Sequence, residues 1–253
     1  MEPAPGRATI RFYAELNDHL PSQRQYQTLE RRFFVPTTVK DMIESFGVPH
    51  TEVELILVNG ESADFSRVVR DGDQVSVYPM FESVDITPAL RVRPEPLRDP
   101  KFVLDVHLGR LAAYLRMLGF DTVYRNCASD PELVALSSSE QRILLTRDRG
   151  LLMHSAVTRG YWLRETDSGR QAQEIVSRFD LARLFRPFTR CMACNATLRP
   201  VPKTEIRGRV PPRTLELYDE FLECSGCARV YWKGSHYRRM LQLTGEWRKL
   251  LPA

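Results

Sequence analysis

The sequence predicts an α/β protein in three modules, and three observations carry that prediction. A first segment sets alternating strands around one amphipathic helix. In a central segment, short apolar strands and helices take turns, and a final segment holds two C-x-x-C pairs. The 253 residues are 43% hydrophobic and 27% charged, the balance of a globular chain rather than a disordered or fibrous one. No apolar run reaches the roughly 18 residues of a membrane helix. Even Val53 to Val58 contains Glu54. The opening MEPAPGRATI lacks a basic start followed by an apolar core, so no secretory signal is expected. The cysteines are therefore expected in a reducing cytoplasm, without disulfides.

Charge is unevenly placed beneath a formal net of +4. Residues 1–90 hold 8 Lys/Arg against 14 Asp/Glu, whereas residues 91–253 hold 28 against 18. Arginine supplies 31 of the 36 cations, and its planar fork suits phosphate. The basic part thus fits nucleic acid, although a bias toward arginine codons would give the same count.

In the first module, ATIRFYAEL (Ala8 to Leu16) alternates apolar and polar residues, and Thr28 to Val35 reads as a second strand. Val39, Met42, Ile43 and Phe46 then recur at helical spacing, with Gly47 placed to end the helix. The strand VELILV meets the Asn59-Gly60 turn, and Asp71-Gly72-Asp73 introduces a last strand from Gln74 to Tyr78. This order resembles the β-grasp, or ubiquitin-like, family. The phrasing VNGESADFSRVVRDGDQVSVYP is similar to the small sulfur carriers of thiamine and molybdopterin synthesis, over most of residues 8–83. Those carriers end in a free Gly-Gly, whereas here the strand runs on into MFESVDITP. The resemblance therefore implies a docking or regulatory module with a protein partner, or a structural appendage, rather than a sulfur carrier.

TPALRVRPEPLRDP, with four prolines and no periodicity, reads as a linker at residues 87–100. Beyond it, Phe102 to Asp105 forms a short strand, and Leu108, Leu111, Ala112, Leu115 and Leu118 mark a helix stopped by Gly119. Next come a strand from Thr122 to Tyr124, a helix from about Pro131 and a strand from Arg142 to Thr146. A helix near Leu151, a strand from Tyr161 to Leu163 and a helix from about Ser168 to Phe179 complete the run. Such alternation implies a parallel sheet with helices on its faces.

Ligands of open α/β sheets sit beyond the carboxyl ends of the strands. Asp105 ends the first central strand, Asp148 follows RILLT by two residues, and Asp130 precedes a proline-started helix. Three carboxylates meeting at one edge would repel unless protonated or bridged by a cation. Their hard oxygens suit Mg²⁺ or Mn²⁺, the ions of phosphodiester hydrolysis. Competing structural roles are open: Asp130 suits a helix N-cap, and Asp148 suits an ion pair with Arg147 or Arg149. Asp105, directly after Phe-Val-Leu, needs a partner to justify its desolvation.

The block FVLDVHLGRLAAYLRMLGFDTVYRN, with SDPELVALSSSEQRILLTRDRGLL after it, resembles the RNase domain named from the C-terminus of the Mut-seven exonuclease. That domain is a branch of the PIN-like nucleases, and the likeness covers about residues 101–235. The resemblance implies a metal-dependent ribonuclease with Asp105, Asp130 and Asp148 as its metal-binding acids. Glu132 and Asp167 are lower-ranked additions. Arg110, Arg116 and Arg147 are candidate phosphate contacts, although arginines that snorkel along amphipathic helices give the same pattern.

Cys191-Met-Ala-Cys194 and Cys224-Ser-Gly-Cys227 are two C-x-x-C pairs separated by 29 residues. Each turn brings two thiolates together, and two such turns supply the tetrahedral S₄ set of structural Zn²⁺. Cys127 stands apart and is expected to be a small, partly buried residue. Residues 181–253 hold 14 Lys/Arg and 6 Asp/Glu. There Tyr231, Trp232, His236 and Tyr237 are interleaved with Arg229, Lys233, Arg238 and Arg239. Aromatics that stack on bases beside cations that track phosphates suit RNA, with Lys233, Arg238 and Arg239 as contacts. Packing of the small ribbon alone would also explain Tyr231 and Trp232.

The expected layout is a β-grasp domain (1–86), a linker (87–100), a PIN-like nuclease domain (101–186) and a zinc ribbon with a basic tail (187–253). The expected activity is ribonuclease cleavage with catalytic Mg²⁺ or Mn²⁺ and structural Zn²⁺. The alternative is a non-catalytic RNA-binding adaptor whose β-grasp domain recruits a partner.

Overall fold

The computed structural model describes residues 5–79 and 99–250, so the expected linker falls largely outside the described residues. The chain divides into two compact units, one formed by Met1–Arg98 with Ser137–Trp162 and the other by Asp99–Leu136 with Leu163–Ala253.

In the first unit, β1 (Gly6–Phe12), β2 (Thr28–Phe33), α1 (Val39–Glu44), β3 (Val53–Val58), β4 (Glu61–Ala63) and β5 (Gln74–Pro79) follow one another. They build a five-stranded sheet in the order β2-β1-β5-β3-β4, with β1 and β5 parallel at its centre. This is the mixed topology of a ubiquitin-like fold. Alternation of apolar residues along β1 turns Ala8, Ile10 and Phe12 inward, where they meet Val39, Met42 and Ile43 of α1. Thr38 caps α1 by accepting from the Asp41 N–H, and the Asp41 side chain returns a bond to the Thr38 N–H. The first strand is shorter than its alternation suggests. At Ala14 the backbone turns to φ 46°, and Ala14–His19 continues as a 3-10 segment.

The same unit contains two strands of the central segment, β8 (Ile143–Thr146) and β9 (Gly160–Trp162), which pair in parallel across α4 (Arg149–Leu152). All four residues of β8 are buried, as expected of a strand covered on both faces. Gly160 is required by close approach: a Cβ there would come within 2.5 Å of Leu152 Cδ2 and 3.2 Å of the Leu144 carbonyl oxygen.

The second unit opens with β6 (Phe102–Leu104), α2 (Gly109–Met117) and β7 (Thr122–Tyr124), again a parallel pair around a helix. Leu111 and Leu115 of α2 are buried, as are Ile175 and Val176 of α5 (Ser168–Arg178). Phe102 packs edge-on against Phe120 and Phe179. The helix α3 (Asp130–Ser139) links the two parallel pairs in sequence.

A three-stranded antiparallel ribbon follows, in the order β10 (Leu198–Pro200), β11 (Phe221–Cys224), β12 (Val230–Trp232). Its own small core, Val201, Ile206, Val210 and Phe221, lies under α6 (Pro212–Leu217). Residues expected to form a basic tail instead form α7 (Ser235–Arg248). Tyr237, Met240, Thr244 and Trp247 recur along one side of this helix. Trp247 is 2% exposed and meets Tyr114 of α2 edge-on at 5.3 Å, while Tyr237 lies 4.6 Å from Phe188.

Candidate metal centres

Both cysteine pairs are built on the same backbone device. The residue after each pair adopts a left-handed conformation, Asn195 at φ 75° and Ala228 at φ 58°, and its N–H bonds back to the carbonyl of the first cysteine. Each first cysteine N–H in turn donates across the knuckle, Cys191 to the Ala196 carbonyl and Cys224 to the Arg229 carbonyl. A left-handed alanine costs about 1 kcal/mol, so Ala228 is held there by the rest of the knuckle.

The four sulfurs lie within 4.8 Å of one another. Cys191 and Cys227 Sγ are 3.6 Å apart, and Cys194 and Cys224 Sγ are 3.3 Å apart. Tetrahedral zinc with bonds of about 2.3 Å separates its sulfurs by about 3.8 Å, so the donor set fits structural Zn²⁺. The Gly226 and Cys227 N–H groups point at Cys224 Sγ, and the Tyr231 hydroxyl lies 3.0 Å from Cys191 Sγ. Burial opposes ionisation of Cys191, but the Tyr231 hydroxyl and the Cys194 and Ala193 amides outweigh it and bring the thiol down to about 6. Burial, helped by the neighbouring thiols, pushes Cys194 up to about 12. Thiols this close cannot all ionise without a cation among them.

Arg116 is corrected by the structure. Expected as a phosphate contact, it is 4% exposed. Its Nε donates to the Thr122 carbonyl at 2.9 Å, and its Nη1 donates to the Met192 and Ala193 carbonyls at 3.1 and 2.9 Å. It bolts α2 to the first cysteine knuckle and is unavailable to RNA. Asn195 does the same for β7: its Oδ1 accepts from the Thr122 N–H, and its Nδ2 donates to Asp121. The sequence reading missed Asn195. Its one signal was an asparagine, which tolerates the left-handed region, directly after C-x-x-C.

The three aspartates sit at separate strand and helix ends. Asp105 follows β6 and is half-buried, with Oδ1 accepting from the Val106 N–H at 2.6 Å. The Tyr124 hydroxyl donates to the Val106 carbonyl at 2.7 Å and holds this turn. Gly109 permits that contact, since a Cβ there would come within 2.9 Å of the Tyr124 oxygen. Asp130 is exposed at the first residue of α3 but does not cap it. The residue before it, Ser129, forms half of a capping box with Glu132: the Ser129 N–H and Oγ both donate to Glu132 Oε2, at 2.8 and 2.9 Å. Glu132, a lower-ranked metal ligand, is thereby occupied. Asp167 is occupied too, capping α5 by accepting from the Gly169 and Arg170 N–H groups. Asp148 follows β8, accepts from the Gly150 N–H at 2.7 Å and donates its own N–H to Thr146 Oγ1. Arg149 does not pair with it but lies over the Trp162 ring, 4.8 Å from its centroid.

Of the other expected phosphate contacts, Arg110, Arg147, Arg238 and Arg239 are exposed, and Lys233 bonds Glu220 in an exposed ion pair. Cys127, expected partly buried, is exposed. Between the ribbon and α7 open two adjoining cavities of about 270 and 560 Å³ that share Met192, Tyr231, Trp232, Tyr237 and Met240. Arg213 and His236 line the larger. No helix of the described residues is long and apolar enough to cross a membrane.

Fold and sites together define a class: a ubiquitin-like module joined to helix-flanked parallel strands and a four-cysteine metal-binding ribbon. Residues 100–244, more than half of the chain, match the Mut7-C RNAse domain, and residues 6–85 match the Mut7-C ubiquitin domain. The chain belongs to the Mut7-C RNAse family. Among solved structures, SAMP1 from Haloferax volcanii is similar at 16% identity and a TM-score of 0.24, covering 31% of this chain and 100% of that one. No curated protein matches the chain.

Proposed function

We propose that the chain is a metal-dependent ribonuclease in which Asp105, Asp130 and Asp148 hold Mg²⁺ or Mn²⁺. The observation that carries this reading is the match of residues 100–244 to an RNAse domain, because that span includes all three aspartates and all four cysteines. The donor chemistry supports it. Each aspartate follows a parallel strand or opens the helix after one, and Asp148 also caps α4 by accepting from the Gly150 N–H. A bound divalent ion supplies charge stabilisation at phosphate and a more acidic attacking water. Hydrolysis by water leaves the attacking oxygen on phosphorus, in keeping with the lack of a nucleophile–base pair in the sequence reading.

RNA retention belongs to the ribbon and its cleft. Tyr231, Trp232 and Tyr237 offer stacking faces for unpaired bases, Arg213 lines the same cleft, and Arg238 and Arg239 face solvent on α7 for the phosphates. Arg110 and Arg147 are the further phosphate contacts. Zinc at Cys191, Cys194, Cys224 and Cys227 keeps the ribbon folded. The ubiquitin-like module, with Phe34 and Val35 exposed after β2, is the part assigned to a protein partner.

Metal-stripped protein incubated with end-labelled single-stranded RNA, with and without Mg²⁺ or Mn²⁺, tests the reading beside an Asp105→Asn/Asp148→Asn control. Metal-dependent cleavage lost in the control is the expected result. Salt-sensitive RNA binding by both proteins without cleavage replaces the nuclease by the adaptor.

A further inference from the structure

We propose that the ubiquitin-like segment braces the turn that presents Asp148, acting through Trp162 and Arg149 as positioning residues. The turn between β8 and α4 has little rigidity of its own. Its internal bonds are Asp148 N–H to Thr146 Oγ1 and Gly150 N–H to Asp148 Oδ1, and α4 is a single turn of four residues. A helix so short does not hold itself.

Support comes from both flanking residues, and it converges on one ring. The Trp162 indole N–H donates to the Arg147 carbonyl at 3.1 Å, while the Arg149 guanidinium lies over the same ring. Arg149 Nη1 also donates to the His19 carbonyl at 3.0 Å, which ties the turn to the 3-10 segment of the ubiquitin-like fold. Trp162 is itself clamped by that fold. Its backbone N–H donates to Glu52 Oε1 at 2.6 Å, and His19 Nε2 donates to Glu52 Oε2 at 3.0 Å. A second tie lies nearby, where His50 Nε2 donates to the Val157 carbonyl at 2.9 Å.

The chemistry of this seam marks it as a device for fixing geometry. The side chains of His19 and Glu52 are 0% and 1% exposed, and His19 Nδ1 is buried without a hydrogen-bond partner among the described residues. Burying a carboxylate and an imidazole this completely is costly, and apolar residues of the same volume would give adhesion without that cost. What the polar pair adds is direction, because charge-assisted hydrogen bonds are short and angle-dependent. The place of Asp148 thus follows Trp162, and the place of Trp162 follows Glu52. A small displacement of a metal-holding carboxylate is enough to impair a reaction severely.

The kinetic consequence rests on the nuclease reading, whereas the brace itself does not, and the test separates them. Amide hydrogen exchange is measured in full-length wild type, Trp162→Phe and Arg149→Ala, with Ile10→Val as a control in the ubiquitin-like core away from the seam. Exchange at Asp148 to Gly150 is expected to rise about tenfold in the first two proteins and not in the control. In the same proteins, Mn²⁺ at half-maximal cleavage is expected to rise about tenfold, as for lost supporting bonds around a metal ligand, with KM for RNA unchanged. Unchanged exchange at Asp148 to Gly150 overturns the brace. Raised exchange with unaltered Mn²⁺ dependence overturns its positioning role. Raised exchange in a protein that cleaves nothing upholds the brace and removes the nuclease reading instead.

Discussion

The four cysteines and the three aspartates are both held by turns, but the turns carry different amounts of the work. Each cysteine knuckle brings two ligands together within four residues, through a repeated left-handed residue and a repeated pair of backbone bonds. All four sulfurs are gathered by only two such knuckles. The aspartates instead sit on separate turns, and two of those turns lean on a residue from a later strand, that of Asp105 on Tyr124 and that of Asp148 on Trp162, while Asp130 has only the local Ser129–Glu132 contact beside it. The cysteine cluster is thus mostly a local product, whereas the placing of Asp105 and Asp148 depends on side chains brought in by other strands.

The strongest way to break that contrast is to remove the zinc. Cys191→Ser or chelation should abolish zinc retention and unfold the ribbon, since structural zinc contributes on the order of 10 kcal/mol of apparent folding free energy. Metal analysis and circular dichroism read the result, and a ribbon that stays folded without metal would overturn the assignment. Asp105→Asn should leave the fold intact and lower cleavage by about a thousandfold, or about 4 kcal/mol at the transition state, with RNA affinity unchanged in a filter-binding titration. Equal losses of affinity and cleavage would make Asp105 a structural residue.

Arg116→Ala tests whether the ribbon depends on the helix beneath it. Three backbone carbonyls lose a charged donor, so denaturant unfolding should show a loss of about 3 kcal/mol. Tyr237→Ala should weaken binding of a short single-stranded RNA by about tenfold, the effect of losing one stacking face, while thermal stability measured in parallel falls far less than in Arg116→Ala. The smallest effect is expected at the Ser129–Glu132 box. Ser129→Ala should cost about 1 kcal/mol in thermal unfolding and spare cleavage. The Ser129 amide and hydroxyl hold the Glu132 carboxyl below its ordinary value of 4.5. The support that Glu132 gives is therefore complete above pH 4.5 and fades as pH falls through the depressed value.

Most elements were legible because their signals are local. The spacing of Leu111, Ala112 and Leu115 placed α2, and the apolar run Ile143 to Leu145 placed β8. Two C-x-x-C pairs placed the metal knuckles for the same reason, since four residues suffice to aim two thiols. Arg116 was misread because its pattern, a cation on an amphipathic helix, is that of a solvated or phosphate-binding residue. Only the arrival of the Met192 and Ala193 carbonyls, 76 and 77 residues away, turns it inward. The reading of residues 235–248 as a tail failed similarly. Trp247 shows its purpose only when Tyr114 is beside it.

By itself, then, the sequence determined most of the order of strands and helices as far as α5, the ubiquitin-like opening and the sulfur ligands, all of which follow from periodicity, turn residues and short spacings. Tertiary structure alone decided that Arg116 is a bolt, that Glu132 and Asp167 are helix caps in place, and that Glu52 and His19 clamp the strand supporting Asp148. The physical reason is the same each time. A polar side chain takes its role from the partner that removes it from water, and that partner is supplied by distant parts of the chain.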